Sequence, residues 1–388
     1  MQLPVTNHKS DVSTLSKDVE VLTRGLIWPQ YKRKVILLGI LLVLVFLIQF
    51  VFPVHLRLAS FYNSYIFRPF QSLRNLVFGI FPFSVGDVLY LLAFLAFIAV
   101  IVRWTYFLVR FRTSRHDLAH SGLTTIITLG FIYLLFFVGW GGNYYRPTLT
   151  KFWKLSTASQ PVKESLIAYD SFLVNRLNTL APYYRGEPFK RVDHTAKDFF
   201  VSMIDSRTRL RNMRVKASLY GYFMQYLGIQ GYYNPFTGES QVNSALPEFM
   251  LPFVVCHEMA HQSGIAAEDD ANLLSYAICT GSTDSAFCYS GYFNLWLYTH
   301  SRLKQADSAK AEYFKKQLNT VSLKQLDSLK AIRKEYTSRF SKYISAIYDS
   351  YLRFHNQLEG IRSYNRVALS AWAWEQRRGK GPVVIEIP

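Results

Sequence analysis

Residues 35–52 read VILLGILLVLVFLIQFVF, a run in which Gln49 is the only strongly polar side chain. A helix rising 1.5 Å per residue needs about 20 such residues to cross the ~30 Å hydrocarbon core of a bilayer. Two further runs carry no charge: VLYLLAFLAFIAVIV at 88–102, which residues 104–109 extend past Arg103, and GLTTIITLGFIYLLFFVGW at 122–140. One such run can be a buried core helix, but three in close succession predict a bundle of membrane-spanning helices. The first is not a signal peptide. It begins late, its apolar stretch is too long, and Pro53-Val54-His55 offers no small-residue cleavage site.

The rest of the 388-residue chain is less greasy. Half of all residues are hydrophobic, 16% are aromatic and 18% are charged, a balance that excludes disorder as the main state. The net charge of +18 has an orienting use. Lys9, Lys17, Arg24, Lys32, Arg33 and Lys34 precede the first run, and Arg103, Arg110, Arg112 and Arg115 lie between the second and third. Only Arg57, Arg68 and Arg74 are spread over the longer loop between the first and second. The positive-inside rule then predicts a cytoplasmic N-terminal segment (1–34), a three-helix transmembrane region (35–143) and an extracytoplasmic domain (144–388). Trp140, Tyr144 and Tyr145 suit an aromatic belt at the outer face. No zinc-finger, helix-turn-helix or RNA-binding signature accompanies the basic charge, so the lipid bilayer is the expected partner and nucleic acid is not.

In the outer region, residues 161–180 have helical spacing with Leu166, Tyr169, Phe172 and Leu173 on one face, and 194–213 read as another helix. Residues 226–242 look β-like, with Asn234-Pro235 and Thr237-Gly238 marking the loop of a hairpin at 234–239. Pro252 suits the first turn of a helix. Residues 303–319 and 322–360 read as long charged helices. The domain is therefore expected to be mainly α with one small β hairpin.

The chemistry concentrates at 251–276, LPFVVCHEMAHQSGIAAEDDANLLSY. His257, Glu258 and His261 spell H-E-x-x-H. On a helix, positions i and i+4 stack, so both imidazoles can bind one Zn²⁺ while Glu258 projects about 100° away, placed to take a proton from water rather than to ligate. A catalytic zinc needs a third protein ligand and an open position. Gly264 can end the helix in the left-handed conformation, and the acidic cluster Glu268-Asp269-Asp270 follows at once. Asp269 and Asp270 compete with Glu268 for the ligand role, although the shorter Asp side chains reach less far.

Glu268-x-x-Ala271-Asn272 resembles the E-x-x-A-[DN] element of the gluzincin metallopeptidases. That resemblance implies Glu268 as third ligand and Asn272 as a partner that steadies a ligating histidine. Six residues separate His261 from Glu268, fewer than in most gluzincins, so the Gly264 turn must be tight. The wider pattern is GYYNPFTGE at 231–239, QVN at 241–243, HEMAHQSGIAAEDDAN and YSGY at 289–292. With the three apolar runs, it resembles a bacterial membrane-anchored family of predicted zinc metallopeptidases, catalogued as a domain of unknown function and common in Bacteroidetes. The resemblance implies a zincin-like α+β domain outside the bacterial inner membrane, Zn²⁺ as cofactor and hydrolysis of a peptide or protein substrate. A site held near the bilayer favours membrane-proximal substrates. In this clan an edge strand beside the site binds extended peptide by β-addition, a role that residues 230–242 are placed to fill.

An oxyanion needs a donor besides the metal. Tyr289, Tyr292, His300 and Tyr364 are candidates by residue type alone. Cys256 reads as a small core residue, and Cys279 and Cys288 can pair in an oxidising compartment. Two rivals stand beside the peptidase. A non-catalytic zinc scaffold would be closed by four protein ligands and would have no need of Glu258. An intramembrane protease would carry the motif inside a spanning helix, but the apolar run 249–260 is too short and leads into acids.

Overall fold

The computed structural model describes residues 31–156, 162–336, 366–378 and 384–388. Most of the N-terminal segment, Tyr364 and the second half of the helix expected at 322–360 lie outside the described residues. The chain is mainly helical, and three helices are long and apolar enough to cross a membrane: α1 (Tyr31–Val54), α4 (Val85–Val109) and a stretch Thr113–Gly139 within α5 (Phe111–Gly139). Each extends a few residues beyond its uncharged run, because charged or small polar residues continue the helix at its ends.

Two compact units emerge, Met1–Val54 with Ala93–Leu135 and His55–Leu92 with Phe136–Pro388. In the first, most of the apolar helix surface is exposed, and several polar groups pair within the unit. Gln49, the one strongly polar side chain of its run, donates to the Tyr133 hydroxyl at 2.5 Å. Lys34 lies 2.8 Å from His120 Nε2 and donates to Thr124. Gly130 leaves room for Leu41.

The second unit holds everything else. The 55–84 connection, expected as a loop, is instead helical: α2 (Leu56–Phe61), a π turn (Tyr62–Phe67) and α3 (Arg68–Gly79). After α5 come a 3₁₀ turn (Gly141–Tyr145), α6 (Leu149–Phe152), α7 (Val162–Leu180) and α8 (Phe189–Met203). The helix expected to reach 213 stops at Met203. There the chain turns to pair with its own C-terminal tail: Asp205 N–H donates to Ile385 C=O and Ile385 N–H to Met203 C=O, at 3.0 and 2.7 Å.

A three-stranded sheet follows, β1 (Val215–Ala217), β2 (Gly231–Tyr233) and β3 (Ser240–Val242), in the order β1-β3-β2. The β2–β3 hairpin is antiparallel, with Tyr232 opposite Gln241. Its loop is fixed by the Asn234 side chain, which accepts from Phe236 and Thr237 N–H, and by Gly238 at φ +69°. Residues 221–227, part of which had read as strand, form α9 (Gly221–Leu227), and β1, parallel to β3, is too short to show alternation in sequence. The remaining helices are α10 (Leu251–Gln262), α11 (Glu268–Gly281), α12 (Ser285–Ala306), α13 (Ser308–Lys316), α14 (Thr320–Tyr336) and α15 (Val367–Arg377). The helix expected at 303–319 is split because Asp307 ends α12 and caps α13, accepting from Lys310 N–H.

α7, α10, α11, α12 and α15 pack around one core, with Tyr169, Leu173, Met259, Leu274, Phe293 and Trp296 wholly or almost wholly buried. Each such side chain contributes roughly 1.5–3 kcal/mol by leaving water. The sheet is joined to the first turn of α4. Glu239 accepts from Gly86 N–H at 2.6 Å and pairs with the buried Lys216 ammonium at 2.5 Å. Lys216 also donates to the Phe78 and Phe83 carbonyls. A carboxylate at a helix N-terminus satisfies backbone donors that have no partner inside the helix.

Candidate metal centre

Pro252 sits in the first turn of α10, where its missing N–H costs nothing. Ten residues later the helix ends at Gln262, and Gly264 reverses the chain at φ +88°. A Cβ at Gly264 would stand 2.6 Å from Phe67 and 2.7 Å from Arg146, so both the conformation and the space require glycine. Arg146 donates to the Gly264 carbonyl at 2.6 Å and pins the turn. Residues 265–267 then lead into α11, whose first residue is Glu268.

The turn brings three donors together. His257 Nε2 and His261 Nε2 are 3.0 Å apart, and Glu268 Oε2 lies 3.2 Å from the first and 3.6 Å from the second. Ligands held at 2.0–2.1 Å in a tetrahedron stand roughly 3.3 Å from one another, so the trio has the spacing of a metal site. His261 Nδ1 faces the Ile265 carbonyl at 2.7 Å, which favours a proton on Nδ1 and leaves the Nε2 lone pair for the centre. Asn272, one turn into α11, lines the same cavity as His257.

Electrostatics point the same way. Burial depresses His257, while Glu268 pulls it back towards the charged form. Burial also opposes charge on His261, but the Glu268 carboxylate outweighs it and pushes His261 up to about 9. Burial would raise Glu268, yet the two imidazoles hold it well below the usual carboxylate range. The pocket is set to attract positive charge.

Glu258 is buried in the same cavity. Burial, and less strongly Glu268, push its carboxyl up to about 8 against the opposing charge of His261. Its Oε2 has no hydrogen-bond partner among the described residues, and its Oε1 lies so close to Gly231 that no side chain fits there. The cavity, about 470 Å³, is bounded by edge strand β2, by α10, and by Trp140, Tyr144 and Tyr298.

The competing acids are occupied elsewhere. Asp269 pairs with Arg366 at 3.2 Å, and Asp270 accepts from Leu149 N–H near Arg146. The oxyanion candidates picked by residue type that lie among the described residues, Tyr289, Tyr292 and His300, do not line the cavity. Tyr289 bonds Ser322 at 2.7 Å, Tyr292 packs in the core against Tyr276, and His300 stacks on Trp296 near Asp170. Each faces the helical core because α12 turns that side inward. Tyr298, on the other side of α12, does line the cavity, and no spacing in the sequence marks it. Its phenol is pushed well above the ordinary range by burial, with Glu268 adding to the effect, so it keeps its proton.

Two further expectations change. Trp140 is buried against Tyr233 (4.3 Å between ring centroids) and edge-on to His261 (6.1 Å), so it walls the site instead of joining a lipid belt. All three cysteines are free. Cys279 points at the Pro252 carbonyl and Cys288 at Ser282, so the pair that the spacing allowed is not formed. Cys256 is buried, as a core residue.

The chain belongs to the family described as protein of unknown function, DUF3810. The DUF3810 match runs over residues 62–369 and so takes in α3, the sheet and the whole metal cluster. No curated protein and no solved structure matches the chain.

Proposed function

We propose that this member of DUF3810 is a membrane-anchored, zinc-dependent peptidase of gluzincin-like chemistry, with a zincin-like domain outside a bacterial inner membrane and its N-terminus in the cytoplasm. One observation carries the reading: His257, His261 and Glu268 converge at ligand spacing in a cavity that also holds the unpartnered Glu258 Oε2 and an edge strand. Two imidazoles and a carboxylate fit zinc and leave a fourth position open. Zinc held there would activate water at neutral pH and polarise a carbonyl.

The chain's own groups supply the rest. Glu258 Oε2 takes the proton of the attacking water and returns it to the leaving amine. The protonated Tyr298 is the best-placed donor for a developing oxyanion among the described residues, in place of Tyr289, Tyr292 and His300. The outer edge of β2 can align an extended peptide by main-chain hydrogen bonds. The topology is supported by the shared unit of His55–Leu92 and Phe136–Pro388, since three crossings require both segments on one side of the bilayer.

The test is full-length protein purified in detergent without chelator. Wild type and Glu258→Gln should each carry about one zinc per chain, and peptide turnover should fall on the order of 10²–10⁴-fold in the variant. Equal turnover would remove Glu258 from the chemistry, and protein without zinc would end the enzymatic reading.

A further inference from the structure

α3 is built inside out. Gln71, Arg74 and Asn75 are 0%, 3% and 5% exposed, whereas Leu73, Leu76 and Ile80, at or just past its end, are 55%, 59% and 74% exposed. The inward face is hydrogen-bonded through most of its polar atoms. Gln71 donates to Asn75 and to the Gly238 carbonyl, both at 2.7 Å, and Arg74 donates to the carbonyls of Pro235 and Gly139. Asn75 accepts from Gln262 at 3.2 Å. In water this arrangement would expose the greasy face and bury the polar one, the reverse of what stabilises a helix at an aqueous surface.

The surroundings say what covers that face. Along the chain, α3 falls between two segments long and apolar enough to cross a membrane, and no acidic residue occurs from 55 to 86. A second exposed apolar patch, Leu219, Tyr222 and Phe223, is tied to the first turn of α4: Asp87 accepts from Leu219 N–H at 2.6 Å, and the Tyr220 hydroxyl donates to the Asp87 carbonyl at 2.7 Å. Aromatic and aliphatic side chains at the end of a spanning helix suit the membrane–water boundary.

We infer that α3 and the 219–223 patch are seated in the outer leaflet of the lipid bilayer, so that the metal cluster stands at headgroup height. The distance fits. A helix is about 10–12 Å across, and the polar face of α3 touches Gln262, the neighbour of His261. The headgroup zone adds roughly 5–8 Å beyond each side of the hydrocarbon core. Substrate would then reach β2 as a segment emerging from the membrane, a class of substrate that rests on the proposed peptidase reading; the lipid contact does not.

The experiment needs no turnover. Leu76→Cys, Ile80→Cys, Phe223→Cys and, as an exposed polar reference, Lys190→Cys are each made in full-length Cys288→Ser protein, nitroxide-labelled and placed in phosphatidylcholine–phosphatidylglycerol nanodiscs. Collision rates are measured with oxygen, which partitions into lipid, and with a water-soluble nickel chelate. The oxygen-to-nickel ratio should be several-fold higher at 76 and 80 than at 190, with 223 in between. A ratio at 76 and 80 equal to that at 190 would place the face in water. Low collision with both reagents would show protein covering it, a second copy or another chain. Either result overturns the inference and leaves the metal chemistry standing.

Discussion

α10 and α3 are both twelve residues long and meet where Gln262 donates to Asn75, yet they are built in opposite senses. α10 is buried on almost every side, apolar towards the core and polar where His257, Glu258 and His261 face the cavity and where Gln262 meets α3. α3 buries its amides and its arginine and presents leucine and isoleucine outward. The difference teaches that the site has two kinds of wall. One is an ordinary protein core that sets ligand geometry. The other is a polar seam backed by an apolar surface, and it holds the hairpin.

Four substitutions probe that contrast, and a common scale of 1.4 kcal/mol per factor of ten compares them. Glu268→Ala should act hardest, lowering zinc affinity by at least about 100-fold, because only two histidine donors then remain. Competition with a chromogenic chelator measures it, and full occupancy would move the third ligand elsewhere. Asn272→Ala should weaken zinc by about 10–100-fold in the same assay, since it takes away a polar neighbour of the ligand set without removing a ligand. Retained affinity would limit the metal-side wall to the three donors.

On the other wall, Asn75→Ala leaves the Gln71 and Gln262 amides short of an acceptor. It should destabilise the unit by about 1–3 kcal/mol, read as a lower midpoint in thermal or denaturant unfolding of the detergent-purified protein. A neutral result would mean that the seam does not hold the hairpin. Leu76→Ala, on the outward face of the same helix, should change that midpoint by less than about 0.5 kcal/mol in detergent. A loss as large as that of Asn75→Ala would show Leu76 to be part of a packed core and erase the contrast between the two helices.

The legible parts of the chain are those whose physics is local. Uncharged runs announce spanning helices because nothing else needs such length, and the i, i+4 histidines with a glycine stop announce α10 and its turn because helix geometry fixes where the side chains go. The same turn announces an acidic ligand, and the resemblance to the gluzincin element, rather than the turn, singles out Glu268 over Asp269 and Asp270. What could not be read depends on partners distant in sequence. α3 inverts the usual pattern, so its apolar positions carry no core signal and Gln71, Arg74 and Asn75 look like solvated loop residues until Gly238 and Gln262 appear beside them. Tyr289, Tyr292 and His300 were candidates by type, whereas Tyr298 is selected only by the rotation of α12. Trp140 looks like a belt residue because the sequence cannot show Tyr233 and His261 closing over it.

The carboxylate of Glu239 grips the opening turn of α4 while Lys216 ties it to the tail end of α3. Tearing that buried pair apart would cost about 3–5 kcal/mol. Glu239 therefore serves as a rivet, fastening the hairpin that walls the groove to a corner of two helices.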